Sequence, residues 1–118
     1  MPHMLLIHEP IGQRAARSES EGRAAYDCML RWRKQLDERG LLLAGESLAS
    51  LDGAARVSTA DGKARVIDGP FAEVKEMVGG FFLLDVDTRE QALVLAAECP
   101  AAAWATVEVR ALAPCFMP

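Results

Sequence analysis

Three short segments, Met4 to Ile7, Leu41 to Leu43 and Phe81 to Leu84, are apolar at every consecutive position. Successive side chains of a strand point to opposite faces, so strands without polar alternation need cover on both sides of their sheet. Helices are available for one side. Ala25, Cys28, Met29, Trp32 and Leu36 recur at helical spacing, while Arg31, Lys34, Asp37 and Glu38 occupy other faces. Ser18 and Glu21 stand three apart as in a capping box, with Ser20 a competing cap, and Gly40 closes this helix as a C′ residue. A second helix begins at Asp87 or Thr88, with Glu90 and Gln91 three residues on. It carries Ala92, Leu95, Ala96 and Cys99 on one face to about Glu98 and is stopped by Pro100.

The remaining punctuation fixes the order of elements. His3 to His8 is of strand length, and the polar stretch from Gly12 to Gly22 reads as loop. Leu41 to Leu48 is the next strand, closed by a turn at Asp52-Gly53. Arg56 to Thr59 and Ala64 to Ile67 flank Ala60-Asp61-Gly62-Lys63, where Asp-Gly favours a type I′ turn, so this part is expected to be a β-hairpin. Gly80 to Val86 and Ala105 to Leu112 are the last strands. The order strand, helix, strand, hairpin, strand, helix, strand predicts an α+β fold, a ferredoxin-like plait with both helices on one face of an antiparallel sheet. Two helices cover one face only. The other is expected to pack on a second copy, giving a symmetric homodimer.

A chain of 118 residues suits one domain, expected over 1–118, and 51% hydrophobic with 25% charged residues supports a packed core. A net charge of -4 with scattered arginines argues against a nucleic-acid partner. The apolar runs are far shorter than the roughly 20 residues of a membrane span, so no membrane partner is expected. No basic stretch and long apolar region mark a secretory signal, and the expected location is the cytoplasm. Cys28, Cys99 and Cys115 cannot all pair within one chain and read as reduced thiols, mostly buried.

One segment carries more than fold information. Asp68-Gly69-Pro70-Phe71-Ala72-Glu73-Val74-Lys75-Glu76-Met77-Val78-Gly79-Gly80 resembles the DGPF branch of the YCII-related family. The likeness continues through Phe81 to Leu84 and on to Val107-Glu108-Val109-Arg110, and is anticipated by Leu42 to Glu46. The resemblance implies a ferredoxin-like dimer, a dimeric α/β barrel with a cleft near this loop. It also implies two kinds of function. A few relatives are enzymes, one of which removes chloride from a chlorinated aromatic diol, and this suggests lyase-like acid/base chemistry on a small organic molecule. Other DGPF-type proteins look like companions of alternative sigma factors, which suggests a non-catalytic sensing or protein-contact module.

The residues admit both readings. Asp68 can serve as a general acid or base if partly desolvated, or accept hydrogen bonds from its own turn. Gly69 is free to take backbone angles forbidden to other residues and Pro70 fixes the next φ, which makes the turn rigid. Phe71 is an apolar anchor in a polar turn, and Glu73, Lys75 and Glu76 either touch a polar ligand or stand solvated. Glu46 follows a buried-looking strand and faces the same cleft or solvent. Tyr26, off the apolar stripe of its helix, can donate a hydrogen bond to a ligand. In the catalytic relatives a histidine on the first helix pairs with an aspartate, and its place here falls at or near Cys28, which is no histidine. Cys28 itself shares the helical register of the core. His3 and His8 lie on the first strand, outside that family position, although His8 can reach toward the cleft from the strand end. No metal-ligand spacing and no phosphate-cradling glycine motif occur, and no cofactor is expected. The apolar tail Pro114 to Met117 packs on its own domain or on a partner.

Overall fold

The computed structural model describes residues 1–118. Its elements are β1 (His3–Pro10), α1 (Gln13–Ala16), α2 (Glu19–Glu38), β2 (Leu42–Ser47), β3 (Ala55–Ala60), β4 (Lys63–Asp68), β5 (Glu76–Leu84), α3 (Arg89–Glu98) and β6 (Thr106–Ala111). Single 3₁₀ turns stand at Leu51–Gly53 and Pro100–Ala103.

Four strands form one antiparallel sheet in the order β2-β5-β1-β6. β1 and β2 both run antiparallel to β5, so they are parallel to each other and α2 crosses between them. The same logic joins β5 to β6 through α3 around β1. These interleaved halves are the ferredoxin-like α+β plait that the element order predicts.

Register decides which side chains meet the helices. Leu5 lies opposite Phe82 and Val109, and Ile7 opposite Gly80 and Val107. Leu5, Ile7, Phe82 and Leu84 are buried with Trp32 and Leu36 of α2 and Ala92, Leu95 and Ala96 of α3. The Trp32 ring stands edge-on to Phe82, with centroids 5.0 Å apart. Directly opposite residues share a face, so the alternate positions form the uncovered side. There Leu6 pairs with Phe81 and Glu108, and Met4 with Leu83 and Arg110. Met4, Leu6, Phe81 and Leu83 remain half-buried.

β3 and β4 pair only with each other. Asp61 (φ 52°) and Gly62 (φ 75°) both take the left-handed conformation between them, as a type I′ turn requires. The arm they form is exposed along almost its whole length.

The helix caps follow the sequence. The Ser18 hydroxyl accepts from the Glu21 N–H while the Glu21 carboxylate accepts from the Ser18 N–H, and Thr88 and Gln91 repeat the device at α3. Two stretches differ from the sequence reading. Gly12 to Gly22 is not a loop, because α1 forms at Gln13–Ala16 and α2 already begins at Glu19. The Asp68–Gly80 segment is also less of a loop than expected. Asp68 ends β4, and β5 starts at Glu76 instead of Gly80 because β1 runs on to Pro10 and pairs with it, Glu9 opposite Met77 and Pro10 opposite Glu76. Only Gly69 to Lys75 connects the strands.

Candidate functional site

The two buried residues of α2, Trp32 and Leu36, both lie in its second half. Toward the start of the helix the positions facing the sheet are small, Gly22 and Ala25, and the strands beneath offer Gly45, Gly79 and Gly80. Without side chains there, helix and sheet do not close on each other, and a cavity of about 620 Å³ remains between them. That volume falls in the range of small-molecule sites, roughly 300–1,000 Å³. Ile7 and Phe82 form its floor, Met29 and Leu30 line the helix side, and Trp104 and Ala101 stand at one end.

The three strand glycines are required by packing. A Cβ at Gly79 would overlap the Glu9 carboxylate and the Arg14 guanidinium, and one at Gly45 would come within 2.8 Å of the Phe82 ring. Gly80 backs onto the Glu46 carbonyl, 3.0 Å from where a Cβ would stand.

Four charged side chains of this wall are held by specific partners. Arg14 Nε donates to Glu9 Oε1 over 2.6 Å, and its Nη2 reaches Glu9 Oε2 at 3.4 Å and the Gly79 carbonyl at 3.3 Å. Glu9 is only 7% exposed, and its hydrogen bonds to Arg14 are what permit its burial. Arg17 lies over the Trp104 ring, 5.6 Å from its centroid, and the Trp104 carbonyl accepts from Gln13 Nε2 at 2.7 Å. Arg33 Nε donates to the Gly45 carbonyl at 3.1 Å, tying α2 to β2. Glu9, Arg14, Arg17 and Arg33 were not singled out by sequence. The available signal was strand periodicity, since His3, Leu5, Ile7 and Glu9 alternate toward the helices and the last of the four is charged.

The structure separates the residues singled out by sequence into two groups. Tyr26 and Glu46 border the cavity. Asp68, Gly69, Pro70, Phe71, Glu73 and Lys75 lie outside its lining, at the base of the β3–β4 arm. There Asp68 is exposed and pairs with Ala55, Phe71 is buried beneath the Arg56 guanidinium at 3.8 Å, and Arg56 Nη1 reaches Glu73 at 3.4 Å. The Lys75 carbonyl accepts from the Ile11 N–H. Gly69 does not have a positive φ. Its need for glycine is spatial, because a Cβ would overlap the Leu51 carbonyl, while its own N–H donates to the Ala54 carbonyl at 2.7 Å.

Both histidines are engaged elsewhere. His3 Nδ1 donates to the buried Val86 carbonyl at 3.1 Å, and His8 Nε2 meets Glu108 at 2.6 Å beside the uncovered face of the sheet. Cys28 is half-buried on α2 and Cys99 buried, where desolvation pushes the thiol pKa up, whereas Cys115 is exposed. No three His, Cys, Asp or Glu side chains are grouped to hold a metal ion. No helix is long and apolar enough to cross a membrane.

Residues 1–115 match the model of the YCII-related domain. No curated protein matches the chain.

Proposed function

The chain belongs to the YCII-related family, and from that footing we propose that it is a small-molecule-binding domain whose organic ligand occupies the cleft between α2 and the sheet. The observation that carries this reading is the cavity itself, a preformed space with an apolar floor and a few convergent polar groups. In its catalytic form the reading gives Asp68 an acid/base role of the lyase type. Support for that form comes from the resemblance of the Asp68 to Phe71 turn, since the cavity has other residues in its wall.

The uncovered sheet face supports a homodimer as the working unit, because Met4, Leu6, Phe81 and Leu83 form an apolar row that a second copy can cover. A non-catalytic second reading, a sensing module that contacts a protein such as an alternative sigma factor, is favoured by the exposed arm. Val57 and Val66 face each other across it and are 67% and 62% exposed.

A thermal-shift screen with small aromatic acids and diols, run on the wild type and on Asp68→Asn, tests the first reading. Stabilisation of the wild type by any such compound is the expected result. Its loss in a folded Asp68→Asn protein would support a ligand site at Asp68, and its retention would leave Asp68 a turn residue. If no compound raises the melting temperature of either protein, the binding reading fails.

A further inference from the structure

The charges around the cavity point to a ligand class. Arg14 is oriented by Glu9 and by the Gly79 carbonyl through Nε and Nη2, which leaves its Nη1 donors uncommitted. Arg17 follows three residues later, at the C-cap of α1, borders the same cavity and is half-buried against Trp104; it forms no salt bridge, and the nearest acidic influence on it is the solvent-exposed Glu21. Glu9 balances Arg14 at contact distance, so Arg17, which makes no salt bridge of its own, adds positive charge to the cavity wall, although the chain as a whole carries -4. A cationic ligand would find the Glu9 oxygens already occupied by Arg14. A free phosphate would satisfy the arginines and leave the apolar floor uncovered.

Resting on the binding reading above and narrowing it, we propose that the cavity takes a small organic acid, its carboxylate held by Arg14 and Arg17 and its apolar body lying along Phe82 and Met29. Guanidinium groups suit this task because they are weakly hydrated and offer paired N–H donors to a carboxylate. The buried Glu9 acts as a positioning residue: it holds Arg14 in place before the ligand arrives, which lowers the cost of ordering that side chain on binding.

The test is an NMR titration of the full chain with 3-phenylpropionate and with the uncharged 3-phenyl-1-propanol, read at the amides of Gly45, Gly79 and Gly80. The acid should produce saturable shifts at these positions and bind at least about tenfold more tightly than the alcohol, the scale of one hydrogen bond to a charged group. Arg17→Gln should cut the acid's advantage several-fold while changing the alcohol's affinity much less. Raising the salt concentration should weaken the acid alone, a readout that stands even if the variant fails to fold. Equal affinity for acid and alcohol in the wild type would overturn the organic-acid assignment and leave the binding reading intact. No shift at the cavity amides with either compound would overturn both.

Discussion

Glu9 and Gly79 compete for one position in the cavity wall: the Glu9 carboxylate, fixed by Arg14, stands where any side chain on residue 79 would begin. Gly79→Ala alone should destabilise the protein by about 1–3 kcal/mol through overpacking. Glu9→Ala alone should cost about 1–2 kcal/mol, less than for a fully buried pair because Arg14 keeps partial contact with water. The double variant should cost about 1 kcal/mol less than the sum, since removing the carboxylate removes the closest overlap and frees the Arg14 side chain to give way. Urea unfolding of the three variants measures this, and additive costs would contradict the geometry.

The capping box of α2 gives a pH signature. The Ser18 backbone N–H, and secondarily its side chain, hold the Glu21 carboxyl below its ordinary value of 4.5. A depressed pKa in the folded state means that the stabilisation is present above the unfolded value and is lost as pH falls through the lowered folded value. Glu21→Gln should therefore flatten part of the stability loss that sets in as pH falls through the ordinary value of 4.5 and continues through the lowered folded value, followed by urea midpoints. Ser18→Ala should lower stability by about 1 kcal/mol near neutral pH.

Leu6 and Phe81 face each other on the uncovered side of the sheet. Light scattering at micromolar concentration should give twice the 12.8 kDa chain mass for the wild type. Leu6→Glu should give the single mass with an unchanged circular dichroism spectrum, because the charge would be buried without a partner only in the dimer. A wild type that scatters as one chain would remove the dimer.

The thiols should differ in reactivity. At neutral pH a thiol reagent should modify the exposed Cys115 at once and reach the buried Cys99 only on unfolding. Burial raises the Cys99 pKa above its ordinary 9.0, so the unfolded chain ionises first as pH rises. The contribution of this thiol to stability is whole below about 9 and declines above it. Cys99→Ala should soften that alkaline decline.

The fold was legible because its signals are local and redundant. Ser18 with Glu21, Thr88 with Gln91, Gly40 at the end of α2 and Asp61-Gly62 each set one boundary by short-range chemistry, and the apolar runs supplied the sheet. Pairing was harder to read. β5 reaches back to Glu76 only because β1 extends to Pro10, a long-range match invisible in either segment alone. The cavity was less legible still, since it is made by what is missing at Gly22, Ala25, Gly45, Gly79 and Gly80, scattered over three elements. The stronger local signal is at Asp68 to Phe71, where glycine, proline and an aromatic stand together in the chain. There the need for Gly69 was readable, but its cause, the neighbouring Leu51 carbonyl, was not.

The β3–β4 arm pairs with no other strand, and every neighbour relation of the four-stranded sheet is complete without it. Its tip at Asp61-Gly62 is therefore a place where the polypeptide can be opened or extended. New termini, a fluorophore or an affinity tag there would leave the ladder β2-β5-β1-β6 and the cleft beneath α2 uncut.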